Sequence, residues 1–485
     1  MSQLHFPFLE LAIVIPLVGS LLVSRVRDVE RARLWSLLVC GAVFICSVGA
    51  WQDFNWSGST AAHDRWDLVK WLSGHDWLVI DELSAPLLPL ASLLYLLTTI
   101  ATLRTKVRRF SFPAALVAEA IVLATLSCSS QRGMIALLAL STIPPCLELR
   151  DRGKPTGVFV LHMGLFVVAM TGGWLLVEWS GQSPPPVWAV ALLALGILIR
   201  SGIAPFHCWV TDLFENATFG RALLFATPMM GAYAAVRLLL PIAPDWMLRA
   251  AGMLALATAL YSAGMSLVQR EARRFFCYIF LSHSALVLVG LGTLTPIGLT
   301  GALTVWLSVG LSLAGFGLTL RALEARHGRL SLAAYHGLYE HTPELAVCFL
   351  LTGLASVGFP GTFGYLSTEL LVDGAVQAFP LVGIAVVIAA ALNGIAVMQA
   401  YFRLFTGTRH VTSVPLAIGM RERIAVLTMA ALVLGGAIYP QPGVASRHHA
   451  ATSILKSRIG PSPVPQLHFS SPSYPAIIAA HDNPP

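Results

Sequence analysis

Charged residues are scarce in this chain. Asp, Glu, Lys and Arg supply 11% of its 485 residues, under half of the ~25% that covers a water-soluble domain. So little charge excludes an ordinary water-facing surface. Also missing is any C-x-x-C pair. The seven cysteines (Cys40, Cys46, Cys128, Cys146, Cys208, Cys277 and Cys348) stand singly, mostly inside apolar blocks, which argues against iron–sulfur clusters and zinc sites. No glycine-rich phosphate loop and no dinucleotide fingerprint occurs. The chain is expected to hold no cofactor, no metal and no redox centre of its own. It also lacks a long basic stripe with interleaved aromatics, so its formal net charge of +7 points to a membrane face and not to nucleic acid.

What is abundant is apolar sequence. Hydrophobic residues make up 56% of the chain, mean hydropathy is +0.74, and apolar residues come in blocks of about 18–25, the length of a membrane-crossing helix. This predicts an all-α, polytopic membrane protein. The first block, 6–24, lacks a basic n-region and a small-residue cleavage site, and reads as a permanent span. The blocks and their breaks predict about fourteen spans, over 7–24, 33–51, 80–103, 112–129, 133–149, 156–177, 187–204, 219–240, 247–268, 275–294, 299–321, 344–360, 381–405 and 423–439.

Loop charge is an independent check on that count. Odd-to-even connections carry the bases: Arg25, Arg27, Arg31 and Arg33; Arg104, Lys106, Arg108 and Arg109; Arg150, Arg152 and Lys154. The series continues with Arg270, Arg273 and Arg274, with Arg321, Arg326 and Arg329, and with Arg409, Arg421 and Arg423. Even-to-odd connections such as "SGQSPPP" are nearly free of them. The positive-inside rule then predicts a cytoplasmic (inner) membrane protein with both termini outside the cytoplasm. Residues 52–79, with four tryptophans among charges, read as an interfacial segment on the outer face. The Pro/Ser-rich tail, 441–485, reads as disordered or lying against a partner. The division expected is 1–78, a core over 79–440, and that tail.

Ionisable groups within spans are costly, so each is a functional candidate beside a plainer reading. Glu119 lies mid-span in "AALVAEAIVLATL", either on a proton path or as a neutral carboxyl bonded to a neighbouring helix. Arg200, in "LGILIRSGIAPFH", needs a carboxylate, carbonyls or water, or snorkels to the cytoplasmic face. His162, His207 and His283 have no second ligand three or four residues away, which leaves proton relay or simple hydrogen bonding. Glu369 follows the Gly/Pro-rich "GFPGTFGYLST" and reads as a path or an interface residue. In "TPMMG", residues 227–231, Pro228 and Gly231 interrupt an apolar run. Such a break frees backbone carbonyls that lipid cannot satisfy.

Four stretches together resemble a known family. "APFHCWVTDLFENAT" resembles PLHxWLPDAHxxAP at Pro205, His207, Trp209 and Asp212. "EARRFFCYIFLSHS" resembles DIKRLIAYSSxSHMG at Arg274, Tyr278, Ser282 and His283. "VGFPGTFGYLSTELL" resembles GxPGTxGFxxE, with Glu369 near its acid, and "VIDELSAPLL" resembles VDGLSxPLL. The chain is thereby similar, over about 79–440, to the antiporter-like proton-channel subunits of respiratory complex I (L/M/N type, nearest M) and of Mrp cation/proton antiporters. The resemblance implies two inverted five-helix bundles, each with one broken helix, and a buried line of Lys, Glu and His that passes protons. Glu119 matches one acid of that line. Arg200 falls where the family has a lysine before the proline, and Arg273 on the lysine of DIKR. Other members are absent: the principal glutamate falls on Ala139, the broken-helix lysine on Met229, and a histidine on Val309.

The expected function is thus a membrane subunit for proton or cation/proton translocation in a complex-I-related NADH–quinone oxidoreductase, with part of the path missing. At most it is a translocase subunit, its partners being other membrane and peripheral subunits and the lipid bilayer. Two alternatives stand beside it: a subunit of a non-redox assembly (an Mrp-type antiporter or an inorganic-carbon uptake system), or a proton-tight scaffold. A self-sufficient membrane enzyme is disfavoured, since no nucleophile–base spacing appears.

Overall fold

A computed structural model describes residues 2–65, 74, 76–102, 110–407 and 419–459. The chain is overwhelmingly helical. Among the described residues nine helices are long and apolar enough to cross a membrane, from Phe8–Arg25 to Pro380–Phe405. Four shorter apolar helices, Leu87–Ile100, Phe112–Ser127, Val187–Arg200 and Pro343–Ser356, lie between them. Polar residues start several helices where the first N–H groups have no intrahelical acceptor: Asp28, Ser130 and Thr295 each accept a backbone N–H from the helix they precede.

Three elements form the core. The apolar windows of Ala272–Gly292, Phe219–Leu239 and Pro296–His327 are 100%, 94% and 89% buried, against 28% for Val29–Ser57 and Gly157–Ser180. A central helix in lipid can be apolar on every side because its neighbours are apolar too. The outer helices present leucine, isoleucine and valine outward, for example Leu22, Ile45, Val168 and Leu381. Pro296–His327 and Phe363–Ala378 approach so closely that a Cβ on Gly374 would lie 2.2 Å from the Gly298 Cα.

Several expected boundaries change. Ile80–Asp81, expected inside a span, is instead a strand in a small sheet with Ala61–Asp64 and Ser2–Leu4, and the helix begins at Leu87. The span expected over 133–149 is present as Gln131–Asp151, interrupted between Leu140 and Ile143, just before Pro144–Pro145. The stretch after 356 is a break between two helices: Gly358 and Gly361 take φ of 86° and 83°, and Phe363–Ala378 resumes beyond them. The tail is also ordered further than its composition implies. Gln441–Ile459 is a helix, bent 79° from Met420–Ile438, because its buried Arg447 donates to the Leu83 and Glu82 carbonyls. Residues 460–485 lie outside the described residues, as do Arg104, Lys106, Arg108, Arg109 and Arg409.

Candidate functional site

The interrupted run begins as Phe219–Ala226 and stops at Thr227–Pro228, where proline cannot donate the next helical bond. Met229 takes φ 50°, a left-handed conformation unusual for a side chain of its kind. The helix restarts as Met230–Ala234 and ends in a π-turn, Ala235–Leu239. Gly231 is required where the break meets the end of Val187–Arg200: a Cβ there would lie 2.3 Å from Ser201 Oγ and 2.9 Å from Ser201 N.

Arg200 faces this break. Its guanidinium sits 4.0 Å from the Phe225 ring centroid and 5.6 Å from that of Trp209, and its buried Nε has no hydrogen-bond partner. No carboxylate pairs with it among the described residues. Two small voids adjoin it. One of about 20 Å³ is lined by Ser201, Met229, Met230 and Ser284. Another of about 30 Å³ is lined by Tyr95, Ser141, Pro144 and Arg221. Each has room for a water molecule, and the unpartnered Ser201 Oγ and Thr227 Oγ1 flank the break.

Glu119 is fully buried in Phe112–Ser127. Its Oε2 accepts a hydrogen bond from the Cys40 thiol at 3.2 Å, while Oε1 has no partner. No ion pair joins Glu119 to Arg200 among the described residues. Cys40 was not foreseen from sequence, where an isolated cysteine in an apolar run carries no signal.

The other candidates scatter. His207 is half-buried beside Tyr261, at 5.4 Å between ring centroids, with its Nδ1 unpartnered. Arg273 is held by Glu324 at 2.7 Å and donates to the Phe214 and Ala217 carbonyls, so it staples helix ends together. His283 is buried, its Nδ1 bonded to the Ile279 carbonyl at 2.7 Å. Glu369 is exposed on Phe363–Ala378 and joins none of the others. His162 bonds the Val158 carbonyl of its own helix. Among the described residues, no group of three or more His, Cys, Asp and Glu is placed to hold a metal.

The charge at the rim of the broken run has a clear partner. Arg237 makes a bidentate bond to Asp81, at 2.6 and 2.7 Å, and reaches the Tyr233 hydroxyl, which donates to the Leu126 carbonyl. Burial alone would push the Asp81 carboxyl up. The Arg237 charge and the hydrogen bonds from Arg237 and Ser84 outweigh it and hold it below the usual carboxylate value.

The chain has four lysines, Lys70, Lys106, Lys154 and Lys456. Of these, Lys154 lies in a connecting loop and Lys456 on the last described helix, both exposed. Neither of these two lies at the break. Every buried Lys or Arg side chain among the described residues is therefore an arginine, which does not give up its proton.

A family model described as "NADH:quinone oxidoreductase/Mrp antiporter, TM" matches residues 157–393. An NAD(P)H-quinone oxidoreductase chain 4 of Synechococcus elongatus is 28% identical over 401 residues, covering 76% of this chain and 74% of that one. Residues 157–393 thus carry the transmembrane domain shared by NADH:quinone oxidoreductases and Mrp antiporters. The fold agrees. A chain of respiratory complex I from Thermus thermophilus superposes with a TM-score of 0.80 at 21% identity, covering 93% of this chain and all of that one. A chain of the Mrp complex from Dietzia sp. also gives 0.80, at 18% identity over 93% of this chain and 99% of its own. That likeness makes the break at Pro228 a feature to explain, with methionine standing where the resemblance puts a lysine.

Proposed function

We propose that this chain is a membrane subunit for proton or cation/proton translocation in a complex-I-related NADH–quinone oxidoreductase, and that the route through its first half departs from a Lys/Glu relay. The observation that carries the reading is the environment of Arg200. A fixed cation lies beside a retained helix break, flanked by water-sized voids and with no carboxylate bonded to it. A relay through Met229 or Ala139 is chemically closed, because neither side chain holds a proton. Glu119 is the titratable carboxyl left in this region, and water around Arg200 would have to connect it onward.

The nine long helices, four short apolar ones and one bent pair support a count of fourteen spans. Breaks at Pro228 and at Gly358–Gly361 support two related bundles within a core over 79–440. Both termini would then lie outside the cytoplasm. In such an assembly the redox chemistry belongs to other subunits, with which this chain packs through lipid-facing and exposed surfaces such as that of Glu369.

The test is reconstitution of the purified assembly in vesicles with a pH-sensitive dye. Glu119→Gln should abolish the flux, and Met229→Leu should leave it intact. Unchanged flux in the Gln variant removes Glu119 from the route, while an intact assembly without flux in its natural form leaves a scaffold. The missing lysine favours a second reading, a non-redox assembly of the Mrp or inorganic-carbon type. Flavin and iron–sulfur subunits co-purifying with the chain would support the first, a large zinc-binding subunit the second.

A further inference from the structure

On the face that carries the basic connections, a cavity of about 140 Å³ opens beside the start of Phe219–Ala226 and the end of Pro296–His327. Arg152, Arg273, Arg321, Glu324, Thr218 and Gly220 line it. The charges do not balance. Glu324 is held by Arg273 through contacts of 2.7–3.0 Å. Glu148 nearby is occupied by the Thr218 N–H and by Arg221. Glu422 is clasped by Arg326.

Arg321 is left with neutral acceptors only, the Thr98 carbonyl at 2.9 Å and the Thr102 hydroxyl at 2.8 Å. Arg152 is exposed and, among the described residues, has no acid of its own. The intervening sequence 103–109, LRTKVRR, lies outside the described residues and contains no acid that could compensate.

Two further features adjoin the same space. Thr218 Oγ1 is fully buried without a hydrogen-bond partner. Gly220 lets the Arg321 guanidinium lie against the first turn of the helix, since a Cβ there would fall 3.0 Å from Arg321 Cζ. That stacks a guanidinium on the positive pole of a helix whose start has the Glu148 carboxylate on the Thr218 N–H alone, so an oxyanion in the cavity beside both would be favoured.

We propose that this cavity binds one phosphate-class oxyanion, either the headgroup phosphate of a membrane lipid or a free phosphate ion. Arginine forks match the oxygens of phosphate, the free N–H groups of the helix start and the Thr218 hydroxyl complete the donor set, and Phe110 and Phe219 wall the side.

The test uses the full chain in its native assembly, delipidated in detergent and offered two probes separately. Native mass spectrometry follows dioleoylphosphatidylglycerol, with dioleoylglycerol as the phosphate-free control, and equilibrium dialysis follows inorganic phosphate. One phosphate-bearing probe per chain should bind, dioleoylglycerol should not, and Arg321→Gln should weaken binding about tenfold or more. Because Arg321 also anchors Leu87–Ile100, Arg152→Gln and Thr218→Val are the companion variants; they remove one donor each and should weaken binding several-fold. Phosphatidylglycerol binding that inorganic phosphate does not displace assigns the lipid, and displacement by inorganic phosphate assigns the free ion. Failure of both probes to bind, equal retention of dioleoylglycerol, or undiminished affinity in all three variants would overturn the site.

Discussion

The rim and the interior of this protein treat charge in opposite ways. At the ends of the helices, guanidinium groups meet carboxylates: Arg237 with Asp81, Arg273 with Glu324, Arg326 with Glu422, Arg423 with Glu344, at 2.5–2.7 Å. In the interior, Glu119 and Arg200 pair neither with each other nor with anything of opposite sign. Rim pairs hold helix ends in register and have no charge left to offer. The interior groups stay unneutralised, and only an unneutralised group can bind or pass an ion. A carboxylate near Arg200 would have made a stable staple and closed the question of function.

The strongest way to break that contrast is to unpair the rim. Arg326 and Glu422 are nearly as buried as the interior groups, with side chains 9% and 3% exposed. Arg326→Gln leaves the Glu422 carboxylate buried without its partner and should cost about 3–5 kcal/mol. The loss would show as a lowered thermal midpoint of the detergent-solubilised assembly. Adding Glu422→Gln should recover most of it, because the double variant has no unpaired charge. A single variant as stable as the natural chain would mean that the rim pairs are not staples.

Next in size is a change in the interior that alters no charge. Gly231→Ala places a methyl against the backbone of Ser201, which cannot rotate away as its hydroxyl can. The strain should cost about 1–3 kcal/mol, and Ser201→Ala should not relieve it. Full relief by Ser201→Ala would show that the hydroxyl, and not close backbone approach, sets the requirement for glycine.

The same contrast explains what could be read from sequence. Periodic apolar blocks carried the fold class, because lipid imposes one length and one backbone solution on every span. Pro228 was legible as a break, and the motif around "APFHCW" carried the family resemblance. Pairings were not legible. Glu324 sits in "RALEARH" among bases, where any of several arginines was an equal candidate for its partner. Cys40 lies 79 residues from Glu119, with nothing in either neighbourhood to link them. Arg447 misled by composition: it stands in a polar, proline-bearing tail, yet is buried because it caps the carbonyls of a distant loop. Glu369 stayed open between path and interface, since a motif match gives a position along the chain but not the face of the helix; it is exposed.

A smaller effect tests the rim through pH. Because Asp81 is held below its ordinary value in the folded chain, its contribution is complete above about pH 4 and fades as the pH falls through the lowered value. With its side chain a quarter exposed, solvent screening reduces the contribution to about 1–2 kcal/mol. Stability of the natural chain should therefore drop more steeply below about pH 4 than that of Asp81→Asn. Parallel curves would show that the Arg237 bond adds no pH-dependent stability.

The finest probe concerns the one neutral partner that the interior does supply. Among the described residues the Cys40 thiol is the one hydrogen-bond donor to Glu119, and its sulfur also lies 4.0 Å from the Thr99 hydroxyl. A thiol is a weak donor, so Cys40→Ala should cost only about 1 kcal/mol. Its effect on flux should be larger than that on stability, because the alanine frees the carboxyl to change rotamer and lose the orientation that the thiol gives it. Cys40→Ser, which restores a donor of similar size, should keep the flux near its natural level. If alanine and serine give the same flux, the thiol merely fills space, and the orientation of Glu119 comes from packing alone.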